Sequence, residues 1–289
     1  MTPQNQSRRN FVKQSTIAAI SLAMASRKSE AAEEKKPRFK KAVKYHMVVD
    51  PSLSIAQKFE LLKDLGFDGV EIRTRDKDAT KIDELLAARD RFELPIHGVV
   101  NSNSPDIRAA VDLSKKLGGT SVLVVAGRVT KDLPYDENYK EWSNRLKENA
   151  TYAEQQGIQL LVENVWNNFM FSPLEMARFI DEIKSPAVGV YFDLGNVVRF
   201  GYPDQWIRIL GHRIGKLDIK EYSRDLQKNE GLWKGFNVEI GDGDVDFPAC
   251  LKALEEIGYT GWGTAEVKGG NRERLAEVAE RMNRVLNLS

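Results

Sequence analysis

The sequence predicts a single α/β domain, an eightfold (β/α)8 barrel, on three observations. From residue 42 onward, short β-branched runs alternate with amphipathic segments of helical length, the pattern of a parallel sheet crossed by helices. Eight such runs can be counted, the number that closes a barrel. The first run leads into Val49-Asp50-Pro51-Ser52-Leu53, where an open nucleotide-binding sheet requires a glycine-rich turn.

In chain order, the expected strands are Val43–Val49, Gly69–Arg73, Pro95–Val100, Ser121–Val125, Gln159–Glu163, Val188–Asp193, Ile214–Lys220 and Gly261–Glu266. Between them lie helix-like stretches such as Ile55–Leu65, Ile107–Leu117, Tyr139–Gln156, Pro173–Ile183, Asp246–Ile257 and Arg272–Leu286. Four joints repeat one device, a glycine just past a helix with a strand soon after: Gly66, Gly118, Gly157 and Gly258. Glycine suits the left-handed residue that ends a helix. One connection is long, Ser223–Val245. It is rich in Gly, Asn, Asp and charge, contains Trp233 and Phe236, and is a candidate substrate lid.

Composition narrows the partners. The chain has 289 residues, 42% hydrophobic and 29% charged, and 43 basic residues against 42 acidic ones. That balance gives neither a nucleic-acid surface nor a membrane-binding face, so the expected partner is a small molecule. Homo-oligomerisation stays open. The single cysteine, Cys250, excludes an internal disulfide and reads as a buried structural thiol in an apolar stretch.

The N-terminus reads as an address. Ser7-Arg8-Arg9-Asn10-Phe11-Val12-Lys13 precedes an uncharged, mostly apolar run from Ser15 to Ala25 that ends in Ala23-Met24-Ala25. A charged segment, a short apolar core and a small-x-small site resemble a twin-arginine export signal. Residues 1–25 are therefore assigned to a signal peptide, 26–41 to a disordered linker and 42–289 to the barrel. The expected location is periplasmic or otherwise exported.

Barrel enzymes place their reactive groups at the C-terminal ends of strands. Strands five to eight each end in a carboxylate: Glu163, Asp193, the run Asp218-Ile219-Lys220-Glu221, and Glu266. One acid at a strand end commonly caps a helix or pairs with a base. Four acids at equivalent positions around one rim call for a cation. Oxygen-only ligation favours Mg²⁺ or Mn²⁺, with Co²⁺ or Zn²⁺ as further candidates.

The order and spacing of Leu161-Val-Glu163-Asn164, Tyr191-Phe-Asp193-Leu-Gly-Asn196, Ile219-Lys220-Glu221-Tyr222, Gly241-Asp-Gly-Asp-Val-Asp-Phe247 and Gly258-Tyr-Thr-Gly-Trp262 resemble the sugar phosphate isomerase/epimerase family. The resemblance spans residues 42–287 and implies a xylose-isomerase-like TIM barrel. It also implies one divalent ion held by a Glu, Asp, His and Glu from strands five to eight, which carries over to Glu163, Asp193 and Glu266. At the histidine position this chain has Asp218, so its ligand set becomes all carboxylate. Glu163 and Glu266 are then the expected base and acid on opposite faces of the substrate.

Lys220 is a candidate to offset the excess charge or to contact a substrate oxygen. Asn164, Asn196, His97 in Pro95-Ile-His97-Gly98, Glu71 and the ring of Trp166 complete the expected substrate contacts, with Glu71 as readily paired to Arg73. His46 is a weaker candidate for the rim, and His212 is expected on the opposite face.

The expected chemistry is proton transfer beside a carbonyl, which yields epimerisation, isomerisation or, with a leaving group at the β position, elimination from a 3-keto-glycoside. Export favours a free sugar, keto-sugar or glycoside over an intracellular sugar phosphate. Two alternatives differ in kind. The endonuclease branch of the superfamily requires a histidine-rich zinc site, and this chain has three histidines. A non-catalytic sugar-binding barrel would have lost activity along with its histidine ligand.

Overall fold

The computed structural model describes residues 39–288, in which eight parallel strands close into a barrel in chain order. They are β1 (Phe39–Lys44), β2 (Gly69–Arg73), β3 (Ile96–Ser102), β4 (Ser121–Val124), β5 (Gln159–Glu163), β6 (Val188–Asp193), β7 (Ile214–Ile219) and β8 (Gly261–Ala265). The export signal assigned to residues 1–25 and the linker as far as residue 38 lie outside the described residues. β1 begins three residues earlier than the expected barrel start, so Phe39-Lys40-Lys41 is strand and not linker. Phe39 and Lys41 are both buried, and the Lys41 ammonium donates to Asn283 Oδ1 at 2.8 Å. The strand also stops sooner than its β-branched run suggests, because Tyr45–Met47 turn into a 3-10 helix.

Helices cover the barrel: α1 (Ile55–Asp64), α2 (Ile82–Phe92), α3 (Ile107–Leu117), α4 (Tyr135–Gln156), α5 (Pro173–Ile183), α6 (Leu194–Val198), α7 (Pro203–Leu210), α8 (Arg224–Glu230), α9 (Phe247–Glu256) and α10 (Arg272–Leu286). Their starts are written in the sequence. Side chains of Ser54, Asp106, Ser172, Asp246 and Asn271 each accept a backbone N–H of the first turn, the N-cap interaction. Gly118 (φ 82°) and Gly157 (φ 69°) close α3 and α4 in the left-handed conformation. Among the described residues, no helix is long and apolar enough to cross a membrane.

Strand alternation sorts the side chains into two sets. Val43, Val70, Ile72, Leu160, Val162, Val190, Phe192, Leu217 and Ile219 belong to one apolar core with the helices. Their neighbours along the chain form a different set in the lumen. Val100, Leu123, Leu161 and Tyr191 make a small separate cluster, beside which lie the buried polar groups Lys44, Glu71, His97, Lys216 and Thr264. Register brings the charged ones together: Lys44 stands opposite Glu71, and Asp193 opposite Asp218.

Candidate metal and substrate site

The ligand atoms of Glu163, Asp193, Asp218 and Glu266 all lie within 4.8 Å of one another. Each side chain arrives from the end of its own strand, β5 to β8. Asp193 and Asp218 are fully buried, while the Glu266 side chain keeps 30% exposure and faces a cavity of about 500 Å³. Glu221, which follows Lys220 after β7, takes no part. Its carboxylate accepts the backbone N–H groups of Tyr222, Gly241 and Val245, and so folds the long loop over this side of the barrel.

Two ammonium groups accompany the acids. Lys220 donates to Asp193 Oδ2 at 2.9 Å and to Glu266 Oε2 at 2.7 Å. Lys44 lies 3.0 Å from Asp218 Oδ1, 3.2 Å from Glu71 Oε2 and 3.9 Å from Glu266 Oε1. Burial by itself pulls both lysines down, but the surrounding carboxylates more than offset it and hold both above the ordinary lysine range. Among the acids, burial and then the nearby Glu266 push Glu163 up to about 8. Burial pushes Glu266 up too, yet Lys220 and Lys44 outweigh it and bring it down to about 2.

The donor set suits a hard divalent ion. Four carboxylates converge and, among the described residues, no histidine or cysteine joins them, a donor set of oxygen alone. Glu163, Asp193, Asp218 and Glu266 would hold such an ion, and Lys220 is bonded to two of them.

Asn164 and Asn196 frame the cluster and do not project freely into the cavity. Asn164 exchanges two 2.8 Å hydrogen bonds with the Asp193 backbone, and the Asn196 amide donates to Asn164 O at 2.9 Å. The Asn196 N–H donates to Asp193 Oδ1 at 2.9 Å, so this pair fixes the aspartate's rotamer. Trp166 donates its indole N–H to Asn196 O at 2.8 Å and packs against Trp233 and Phe236. All three rings line the cavity beside Glu163, Lys220 and Glu266, so the long loop contributes two aromatic walls, and Trp233 is 65% exposed.

His97 and Glu71, expected at the substrate, lie elsewhere. β3 continues to Ser102, so His97 is only its second residue and sits deep in the lumen. It is stacked on Trp262 at 4.2 Å and contacted by Lys216 Nζ at 2.8 Å. Burial and then Lys216 hold its pKa well below the usual histidine range. Glu71 is fully buried; Tyr191 donates to its Oε2 at 2.9 Å, and Lys44 lies 3.2 Å away. Arg73 pairs with Asp76 instead. His46 sits in the 3-10 turn after β1, outside the carboxylate cluster. His212 is exposed, and Cys250 is buried with a thiol pushed up by burial.

The lumen residues Lys44, Lys216, Tyr191 and Thr264 were not expected from the sequence. The Thr264 hydroxyl lies 3.0 Å from the Tyr191 oxygen, whose own proton goes to Glu71, and 3.3 Å from His97 Nε2. Lys216 donates to His97 O at 2.6 Å, and burial lowers its pKa to about 8. A Cβ on Gly98 would stand 2.7 Å from Glu71 Oε1 and 2.9 Å from Lys216 Nζ, so only glycine lets these groups approach the strand. The available signal was Lys216, a lysine inside the strand Ile214–Ile219, where a parallel sheet buried on both faces calls for apolar residues. A separate cavity of about 600 Å³, lined by Phe247, Leu251 and Leu286 among others, contains none of the carboxylates.

Comparison with known proteins agrees with this architecture. An uncharacterized protein of Methanocaldococcus jannaschii is 26% identical over 263 residues, 80% of this chain and 86% of its own length. An L-ribulose-5-phosphate 3-epimerase of Salmonella typhi is 25% identical over 251 residues, 78% of this chain and 86% of its own. The crystal structure of a 3-keto-D-glucoside 4-epimerase from E. coli superposes with a TM-score of 0.70 at 17% identity, covering 86% of this chain and 99% of that one, which is a likeness of fold. The family described as xylose isomerase-like TIM barrel matches residues 59–286, and the chain belongs to that family.

Proposed function

We propose that the protein is a divalent-metal-dependent sugar isomerase or epimerase that moves a proton at a carbon next to a carbonyl, on a free sugar, keto-sugar or glycoside. The observation that carries this reading is the convergence of Glu163, Asp193, Asp218 and Glu266 at the mouth of a cavity walled by aromatic rings. The 3-epimerase named among its relatives supports it, since inversion at one carbon is what proton transfer from two faces produces. When bound, Mn²⁺ or Mg²⁺ supplies Lewis-acid polarisation of the substrate oxygen.

The chain's own groups do the rest. Glu163 and Glu266 act as the acid–base pair at the reacting carbon. Lys220, bonded to Asp193 and Glu266 with 20% of its side chain exposed to the cavity, is placed to donate to a substrate oxygen. Trp166, Trp233 and Phe236 offer faces on which a sugar ring can stack and help exclude water. Asn164 and Asn196 hold Asp193 in place.

The test is incubation with candidate keto-sugars and 3-keto-glycosides in D₂O with Mn²⁺. Deuterium is expected beside the carbonyl, and phosphodiester cleavage or the absence of exchange with every candidate would overturn the reading. We further propose that Arg8 and Arg9 direct export, with cleavage near Ala25. Replacing both by lysine is expected to leave unprocessed precursor in the cytoplasm, and normal processing of that variant would refute the proposal.

A further inference from the structure

The two lysines of the site are not equivalent. Lys220 borders the cavity and retains 20% side-chain exposure, whereas the Lys44 side chain is 1% exposed and its charged neighbours within 4 Å are all acids. Its ammonium lies 3.0 and 3.1 Å from the two oxygens of Asp218. Its third close partner, Glu71, is fixed from behind by the Tyr191 hydroxyl at 2.9 Å. The Tyr191 ring itself lies under the ammonium at 4.8 Å. Lys44 is therefore clamped on three sides and almost wholly buried.

An ammonium 3.0 and 3.1 Å from the two oxygens of one prospective ligand changes what that ligand offers an ion. Asp218 shares this ammonium with Glu71, so its charge is partly offset before any ion arrives. We propose that Lys44 is a resident counter-cation that acts through Asp218 to set the affinity of the ion site. It is a positioning residue with no contact to substrate. The inference rests on the metal reading above and deepens it: the charge that Asp218 brings to the fourth corner of the shell is offset by a lysine built into the lumen.

The experiment is a double-mutant cycle on chelator-stripped, full-length protein titrated with Mn²⁺ alone, using Lys44→Met, Asp218→Asn and the two combined. Removing the ammonium takes one positive charge away from the ion, so Lys44→Met is expected to tighten Mn²⁺ binding by about tenfold or more. Asp218→Asn removes one negative charge beside the ion while Lys44 stays paired with Glu71, and is expected to weaken binding by a similar factor of about ten. The double variant, with the same net charge at this corner as wild type, is expected to return to within about threefold of wild type.

The double variant also removes both partners of the buried pair, so it keeps the test valid if Lys44→Met fails to fold without metal. Binding in Lys44→Met that is equal to or weaker than wild type overturns the inference, as does a double variant as weak as Asp218→Asn. Wild-type protein that takes up no Mn²⁺ overturns the metal reading itself, whereas wild-type uptake with no coupling in the cycle overturns only the role of Lys44.

Discussion

The outward and inward faces of the barrel are built from alternate residues of the same strands, and they follow opposite rules. On β5, Leu160 and Val162 enter the apolar layer beneath the helices, while Leu161 and Glu163 face the lumen. On β7, Leu217 and Ile219 face outward, while Lys216 and Asp218 face inward. The outward face gains stability by removing apolar area from water, a term that tolerates repacking. The inward face holds charges that burial alone would disfavour, and Lys44, Asp193, Asp218, Lys220 and Glu266 are each held by an opposite charge within about 3 Å. Substitutions on the two faces should therefore fail in different ways.

The largest separation is expected at Glu163 and Glu266. Changing either to Gln keeps the shape but removes the basic oxygen, and general acid–base catalysis is worth typically ~10²–10⁴-fold. The rate should fall by that factor in variants shown by elemental analysis to retain the ion. A metal-replete Gln variant that exchanges deuterium as fast as wild type would end the acid–base assignment. The outward face should do the reverse. Leu160→Ala, at a fully buried position, is expected to cost about 2–5 kcal/mol in denaturant unfolding while leaving the rate per folded molecule unchanged. A large rate defect there would mean that the two faces are not separable.

A subtler contrast lies in pH. With Glu163 raised to about 8 by burial and Glu266, the metal-free folded state keeps a proton that the unfolded chain releases near pH 4.5. The folded form thus binds more protons between those values, and stability is expected to fall as pH rises from about 4.5 to about 8. Glu163→Gln should reduce this slope without abolishing it, because burial also pushes the Asp193 and Asp218 carboxyls up. Loading Mn²⁺ should oppose it, because the ion competes with the proton and stabilises more strongly at higher pH. Unfolding midpoints across this range, with and without metal, decide the matter.

The legible part of the molecule was the outward face and the rim. β-Branched runs, glycines past helix ends and acids at four strand ends are all local signals, and they placed β2 to β8 and the four carboxylates of the rim, whereas β1 shares only Val43 and Lys44 with its expected run. The lumen was illegible because its logic is non-local. Lys44 meets Asp218 across 174 residues of chain, and in sequence it sits close to Lys40 and Lys41, where it reads as part of a basic stretch. His97, expected among the substrate contacts, lies below them because β3 runs on to Ser102 and leaves it near the strand's start. α2 was not singled out because Ile82–Phe92 carries charge at five of its eleven positions, which blurs its apolar stripe.

The smallest expected effect uses the same chemistry in a different place. Arg145 and Glu141 form a 2.8 Å ion pair one helical turn apart on α4, with side chains 27% and 45% exposed. By distance alone this contact is closer than the one between Lys44 and Asp218. Distance is not what decides its worth, because water solvates both partners when they separate and salt screens them when they meet. Glu141→Gln preserves the helix propensity and removes only the charge, so it should change unfolding stability by no more than about half a kcal/mol. That small difference should shrink further as ionic strength is raised. Breaking the lumen pair from one side leaves Lys44 with Glu71 and the more distant Glu266 alone, and removing one partner of a buried pair typically costs about 3–5 kcal/mol. Measuring Glu141→Gln and Asp218→Asn side by side in metal-free protein, at low and high salt, tests whether burial is what separates them: equal losses, or a lumen pair that screens with salt as the surface pair does, would show that water reaches Lys44.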